Sequence, residues 1–195
     1  MIFHSVAGAR LAVKVKRIRM RLIRPAWLSL VPALVVLAIT QQVFAQPRPH
    51  SGNKEILDSV SDRTNIYPAD ADADREIAAA LAQSTKEKKR VLLVFGANWC
   101  YDCHVLDHAL HDGEAGRIVR EKYLLVHVDI GEGEKNPELV KLYKIPLDKG
   151  VPAVAILDAA GKLLYSSGEG EFEAARRMLK QDLVGFLEQW QAPPP

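Results

Sequence analysis

The chain has 195 residues, 26 of them basic and 24 acidic, for a formal net charge of +2. It holds two cysteines, which excludes a structural disulfide alongside a free dithiol and leaves stability to an ordinary apolar core. Seven of the basic residues and no acidic one fall within residues 1–45. Taking that segment away leaves 19 basic against 24 acidic, net −5, and no basic stripe interleaved with aromatics of the kind nucleic acid needs.

The seven are Arg10, Lys14, Lys16, Arg17, Arg19, Arg21 and Arg24, followed by a mostly apolar stretch from Ala26 to Ile39 and then Val43-Phe44-Ala45. A basic region, an apolar region and a small-residue cleavage site in that order predict an export signal over residues 1–45, with an uncleaved membrane anchor as the alternative. The apolar stretch is shorter than the roughly twenty residues of a membrane span. A start at Met20 would give a signal of ordinary length. The remainder, of single-domain size, is then expected outside the cytoplasm, where disulfides persist.

Residues 46–70 read as an irregular leader, with Pro47 and Pro49 early and a short helical piece over Asn53 to Val60. Asp70, Asp72 and Asp74 have the spacing of a calcium loop but lack its glycine, so they are expected to cap a helix over residues 72–85. Val91 to Phe95 has no polar alternation and predicts a central strand covered on both faces. Helices are expected over residues 103–110 and 115–122, a second buried strand over 124–128, and a helix from Pro137 to Tyr143 behind Asn136. Strands over 154–157 and 163–166 flank a turn at Asp158 to Gly161. Phe172 to Trp190 is expected as a closing amphipathic helix, with residues 191–195 a disordered tail. The fold class is α/β, three layers, with a mixed four-stranded sheet between helices. The first two strands are expected to be parallel and the last two antiparallel.

Chemistry concentrates at Trp99-Cys100-Tyr101-Asp102-Cys103, between the first strand and a helix. A thiol at a helix N-terminus faces unpaired N–H groups and the helix dipole, which favour a thiolate. Cys100 is therefore the expected nucleophile. Cys103, one turn in, is the expected resolving thiol, with exchange passing through a mixed disulfide. Trp99 is expected to flank the nucleophile, and Tyr101 to stand at the mouth of the site. Asp102 is expected to oppose a thiolate by its charge, which lowers the acidity of Cys100 and makes the couple more reducing.

The run from Val91 through His104 resembles the active-site strand and helix of the thioredoxin superfamily. It is most similar to exported members and to the C-terminal domain of the transmembrane thiol:disulfide interchange reductase. Gly150-Val151-Pro152-Ala153 adds a second match. The resemblance, which covers residues 72–190, implies that Pro152 is a cis proline facing the dithiol. It also implies that Val151 offers its backbone to an extended substrate peptide. Two departures stand out: Val94 occupies the place of the family's buried acid, and His108 that of the proline that kinks its helix.

The implied activity is protein thiol-disulfide exchange, in the reducing direction, by a monomer without cofactor or bound metal. Its partners are client proteins with cysteines or disulfides and a membrane or soluble thiol donor; nucleic acid is not among them. The alternatives are a binding module on the same scaffold, or a maturation factor for one cysteine-containing, metal or haem client. Cys100-Tyr101-Asp102-Cys103-His104 also fits the haem-attachment pattern, but a buried strand before it and an α/β context speak against that. His104, His108 and His111 are expected to face solvent rather than converge with the thiols on a metal. Asp107 and Asp112 read as surface acids, and His127 as structural.

Overall fold

The computed structural model describes residues 56–192. Residues 1–55, which include the segment expected to be an export signal and the start of the expected leader, and residues 193–195 lie outside the described residues. Among the described residues no helix is long and apolar enough to cross a membrane.

Among the described residues, five α-helices and four strands follow in chain order: α1 Ala73–Glu87, β1 Arg90–Gly96, α2 Tyr101–His111, α3 Gly113–Lys122, β2 Tyr123–Asp129, α4 Pro137–Leu142, β3 Ala153–Leu157, β4 Leu163–Ser166 and α5 Lys180–Trp190. The strands form one sheet in the order β2-β1-β3-β4. β1 runs parallel to β2 and antiparallel to β3, and β3 antiparallel to β4. Val91, Leu92, Leu93, Val94 and Phe95 are all at most 1% exposed. Side chains alternate across a strand, so this unbroken run feeds two cores. Leu92 and Val94 pack with Val105, Leu106 and Leu110 of α2, Ile118 of α3 and Leu183 and Leu187 of α5. Val91, Leu93 and Phe95 pack on the other face with Ile77 and Ala80 of α1 and Leu139 of α4. Burying each such side chain contributes about 1.5–3 kcal/mol, which makes β1 the element that fixes the site at its end.

Local chemistry explains the helix starts. Asp72 caps α1 by accepting from Arg75 N at 3.0 Å, so the acidic cluster acts as a helix cap. α2 continues through His108 to His111 without interruption. Pro137 opens α4 behind Asn136.

Two expectations fail. The closing helix begins at Lys180, not Phe172. Gly170 turns the chain at φ +76°, and a short 3-10 turn covers Ala175–Arg177. Leu179 then pairs with Ile56 in a β-bridge, and Leu57 N donates to Met178 O at 2.9 Å. Those pairings hold the segment extended where its apolar spacing reads as helix. For the same reason residues 56–60 are not helical. The described leader packs tightly: Leu57, Ile66 and Tyr67 are at most 4% exposed.

Candidate active site

The site forms where β1 ends. Ala153 pairs with Phe95 across the antiparallel ladder, so Pro152, just before it, comes alongside the turn that leads from β1 to α2. Cys100 caps α2 with its own sulfur, which accepts from Cys103 N at 3.1 Å. Cys100 and Cys103 are joined as a disulfide, with Cα atoms 5.2 Å apart. Cys103 is fully buried and Cys100 is 4% exposed, so Cys100 carries the outer sulfur. The Val151–Pro152 peptide bond is cis, and the Val151 carbonyl oxygen lies 3.5 Å from Cys100 Sγ.

Trp99 and Tyr101 flank the pair and are more than half exposed. The Trp99 indole N–H donates to Gly131 O at 2.9 Å, tying the 131–134 turn to the rim. A cleft beside it is lined by Trp99, Ile130, Glu132, Leu147, Gly150 and Val151. Val151, whose carbonyl lies against Cys100 Sγ, forms part of its wall.

Asp102 departs from expectation. Its side chain is buried rather than presented to the thiols. One oxygen accepts from Arg176 N at 2.9 Å and the other pairs with the Arg176 guanidinium. A carboxylate neutralised in this way exerts little field on a neighbouring sulfur. Arg176 reaches it because the segment before α5 is extended.

The uncompensated polar groups lie deeper. Asp107 is 1% exposed, not at the surface. Its Oδ1 accepts from Arg63 and lies 3.1 Å from His127 Nε2 and 3.4 Å from His111 Nδ1. The His127 contact is within ion-pair range, but the groups are not aligned as a hydrogen bond. Burial pushes the Asp107 carboxyl up, but His127, Ser61 and Arg63 outweigh it and hold the carboxyl well below the usual carboxylate range. Among the described residues, Asp107 Oδ2 is buried without a hydrogen-bond partner, and so is Tyr67 Oη. Tyr67 sits in one buried cluster with Cys100 and Cys103, and its ring meets His127 edge-on. Burial, with Asp107 and Asp129 nearby, pushes its hydroxyl far above the usual phenol range. Asn98 fixes Tyr67 in place: Asn98 Oδ1 accepts from Tyr67 N at 3.0 Å and Asn98 Nδ2 donates to Tyr67 O at 2.7 Å.

Sequence reasoning missed Arg63, Tyr67, Asp107 and Arg176. Asp107 could have been found, because Cys103, Leu106, Asp107 and Leu110 share one helical face and three of them are plainly inward. His104 Nε2 lies 2.9 Å from Asn98 O, committed to the backbone. Among the described residues no group of three or more His, Cys, Asp or Glu is placed to hold a metal ion.

Residues 72–159 match a family model described as Thioredoxin-like. The crystal structure of a disulphide isomerase from Xylella fastidiosa Temecula1 superposes with a TM-score of 0.60 at 35% identity, covering 64% of this chain and 95% of that one. The chain belongs to the thioredoxin-like family. The chain is also 30% identical over 124 residues to thiol:disulfide interchange protein DsbD 2 of Pseudomonas aeruginosa PAO1, and that match spans 63% of this chain but 18% of that protein. In this thioredoxin-like protein Val94 is fully buried against α2, and Asp107, one turn beyond Cys103 on that helix, is a buried carboxylate.

Proposed function

We propose that this protein is a thiol-disulfide oxidoreductase that reduces disulfides of exported client proteins and is itself re-reduced by a membrane or soluble dithiol. Cys100 is the nucleophile and Cys103 the resolving thiol. The Cys100 thiolate attacks a client disulfide, forming a mixed disulfide and releasing one client thiolate. Cys103 then attacks Cys100 Sγ, closing the internal disulfide and releasing the second client thiolate. The observation that carries this reading is the Cys100–Cys103 disulfide at the N-terminus of α2, with its outer sulfur against the Val151 carbonyl.

The reducing direction is supported by the electrostatics around the pair. Cys100 Sγ receives one backbone N–H, that of Cys103. A less stabilised thiolate makes a more reducing couple. Trp99, Tyr101 and the cleft along Gly150 and Val151 suit an extended polypeptide as substrate. The extracytoplasmic location rests on the signal-like residues 1–45.

Reduction of insulin by dithiothreitol tests the activity. The wild type should accelerate precipitation of the released chain and Cys100→Ser should run at the uncatalysed rate; equal rates would overturn the assignment. A reduction potential well below about −180 mV supports the direction, and one near the −120 mV of a strong oxidant contradicts it.

A further inference from the structure

Gly96 closes β1 directly beneath the disulfide. A side-chain carbon built there would stand 2.5 Å from Tyr67 Oη and 2.6 Å from Cys103 Sγ. The hydroxyl and the sulfur therefore bracket one small space that exists because residue 96 has no side chain. The hydroxyl is fully buried and has no partner among the described residues while the disulfide is closed. A buried donor left unpaired is costly. Here the acceptor that changes during the redox cycle is the sulfur across that space.

We propose that the Tyr67 hydroxyl is the hydrogen-bond donor that receives Cys103 when the disulfide opens, so that the leader segment completes the active site. The inference rests on the redox reading above. In the re-reduction step a thiolate of the dithiol donor attacks Cys100 Sγ. The Cys100–Cys103 bond breaks, a donor–Cys100 bond forms, and the electron pair leaves on Cys103 Sγ. Tyr67 keeps its proton and donates a hydrogen bond to that sulfur, the stronger kind because the acceptor is charged. The donor's second thiolate then displaces Cys100, and the donor departs as its own disulfide. Asn98, two residues before the nucleophile, clamps both backbone groups of Tyr67, so the leader and the dithiol are held by one side chain. Tyr67 favours the reduced state in two ways: it stabilises the Cys103 thiolate, and it is unsatisfied only in the oxidised form.

The test is the redox equilibrium of the full chain against glutathione, wild type beside Tyr67→Phe. Loss of the hydroxyl should shift the equilibrium at least fivefold toward the disulfide, about 20 mV more reducing where a tenfold change is 29.6 mV. The oxidised variant should melt no lower than wild type, since no bond is lost in that state. A shift under fivefold, or a lower melting point of the oxidised form with no shift, overturns the inference. If the wild type does not interconvert between disulfide and dithiol at all, the redox reading itself has failed, and this inference with it. A measurement that needs no variant is the ring Cζ resonance of Tyr67 in tyrosine-labelled wild type. It should move on reduction, while that of Tyr123, whose hydroxyl donates to Leu187 O at 2.6 Å, stays fixed. An unmoved Tyr67 resonance overturns the inference independently.

Discussion

Replacing Asp107 by asparagine keeps the shape of the side chain and removes its charge. The carboxylate is 1% exposed and faces Arg63, His111 and His127. Breaking a buried ion pair from one side costs about 3–5 kcal/mol, because the other charge is stranded. Arg63, the partner that carries a permanent charge, is 51% exposed and can turn to water, while the 13% exposed His127 loses the carboxylate 3.1 Å from its Nε2. The cost therefore falls near or below the lower end, about 2–3 kcal/mol. For a domain of this size that corresponds to a drop in Tm of about 6–9 °C at neutral pH. The Asp107 carboxyl is held below its ordinary value, so its contribution is fully present above the unfolded value near about 3.9 and is lost as pH falls from there toward the folded value. The gap between wild type and Asp107→Asn, followed by circular dichroism on the oxidised proteins, should hold from neutral pH to about pH 5 and narrow below about pH 4. A gap under about 2 °C at neutral pH, or one that persists undiminished in strong acid, would refute the reasoning.

Two further substitutions probe the neighbourhood of the pair. Asp102→Asn should move the glutathione equilibrium less than about twofold, because Arg176 already balances that charge. A larger shift would show that Asp102 acts on the sulfurs after all. Gly96→Ala should destabilise the oxidised protein by about 1–3 kcal/mol, the range for overpacking, since its methyl would collide with Tyr67 Oη and Cys103 Sγ. A Tm equal to wild type would mean that the space beneath the disulfide is wider than described.

The parts of the molecule legible in the sequence are those where local pattern and tertiary structure agree. Val91 to Phe95 has no polar residue and became the central strand, and Cys100 stands at a strand-to-helix junction and became the cap of α2; the cis bond before Pro152, with the Val151 carbonyl 3.5 Å from Cys100 Sγ, was expected from the family resemblance and not from local pattern. Tyr67 was illegible for a physical reason. It lies in a stretch with no periodicity, and its position is set by the Asn98 side chain, thirty-one residues away. The start of α5 was misplaced because Leu179 and Met178 pair with the leader, a contact that apolar spacing cannot reveal. Asp102 and Asp107 differ from expectation on the same account: the first is paired with Arg176, and the second is buried beside Arg63. A charge in the motif suggests influence on the thiols, but burial and pairing decide it, and these depend on Arg176 and on which face of α2 turns inward.

The central claim is that Cys100 attacks and Cys103 resolves. It is tested most directly by mapping the mixed disulfide that each single-cysteine variant forms with an oxidised, cysteine-containing peptide. Cys103→Ser should accumulate a stable adduct at Cys100, readable by mass spectrometry, at a rate comparable to the wild-type reaction. Cys100→Ser should react far more slowly, because the Cys103 sulfur is fully buried. Equal or faster capture through Cys103 would contradict the account.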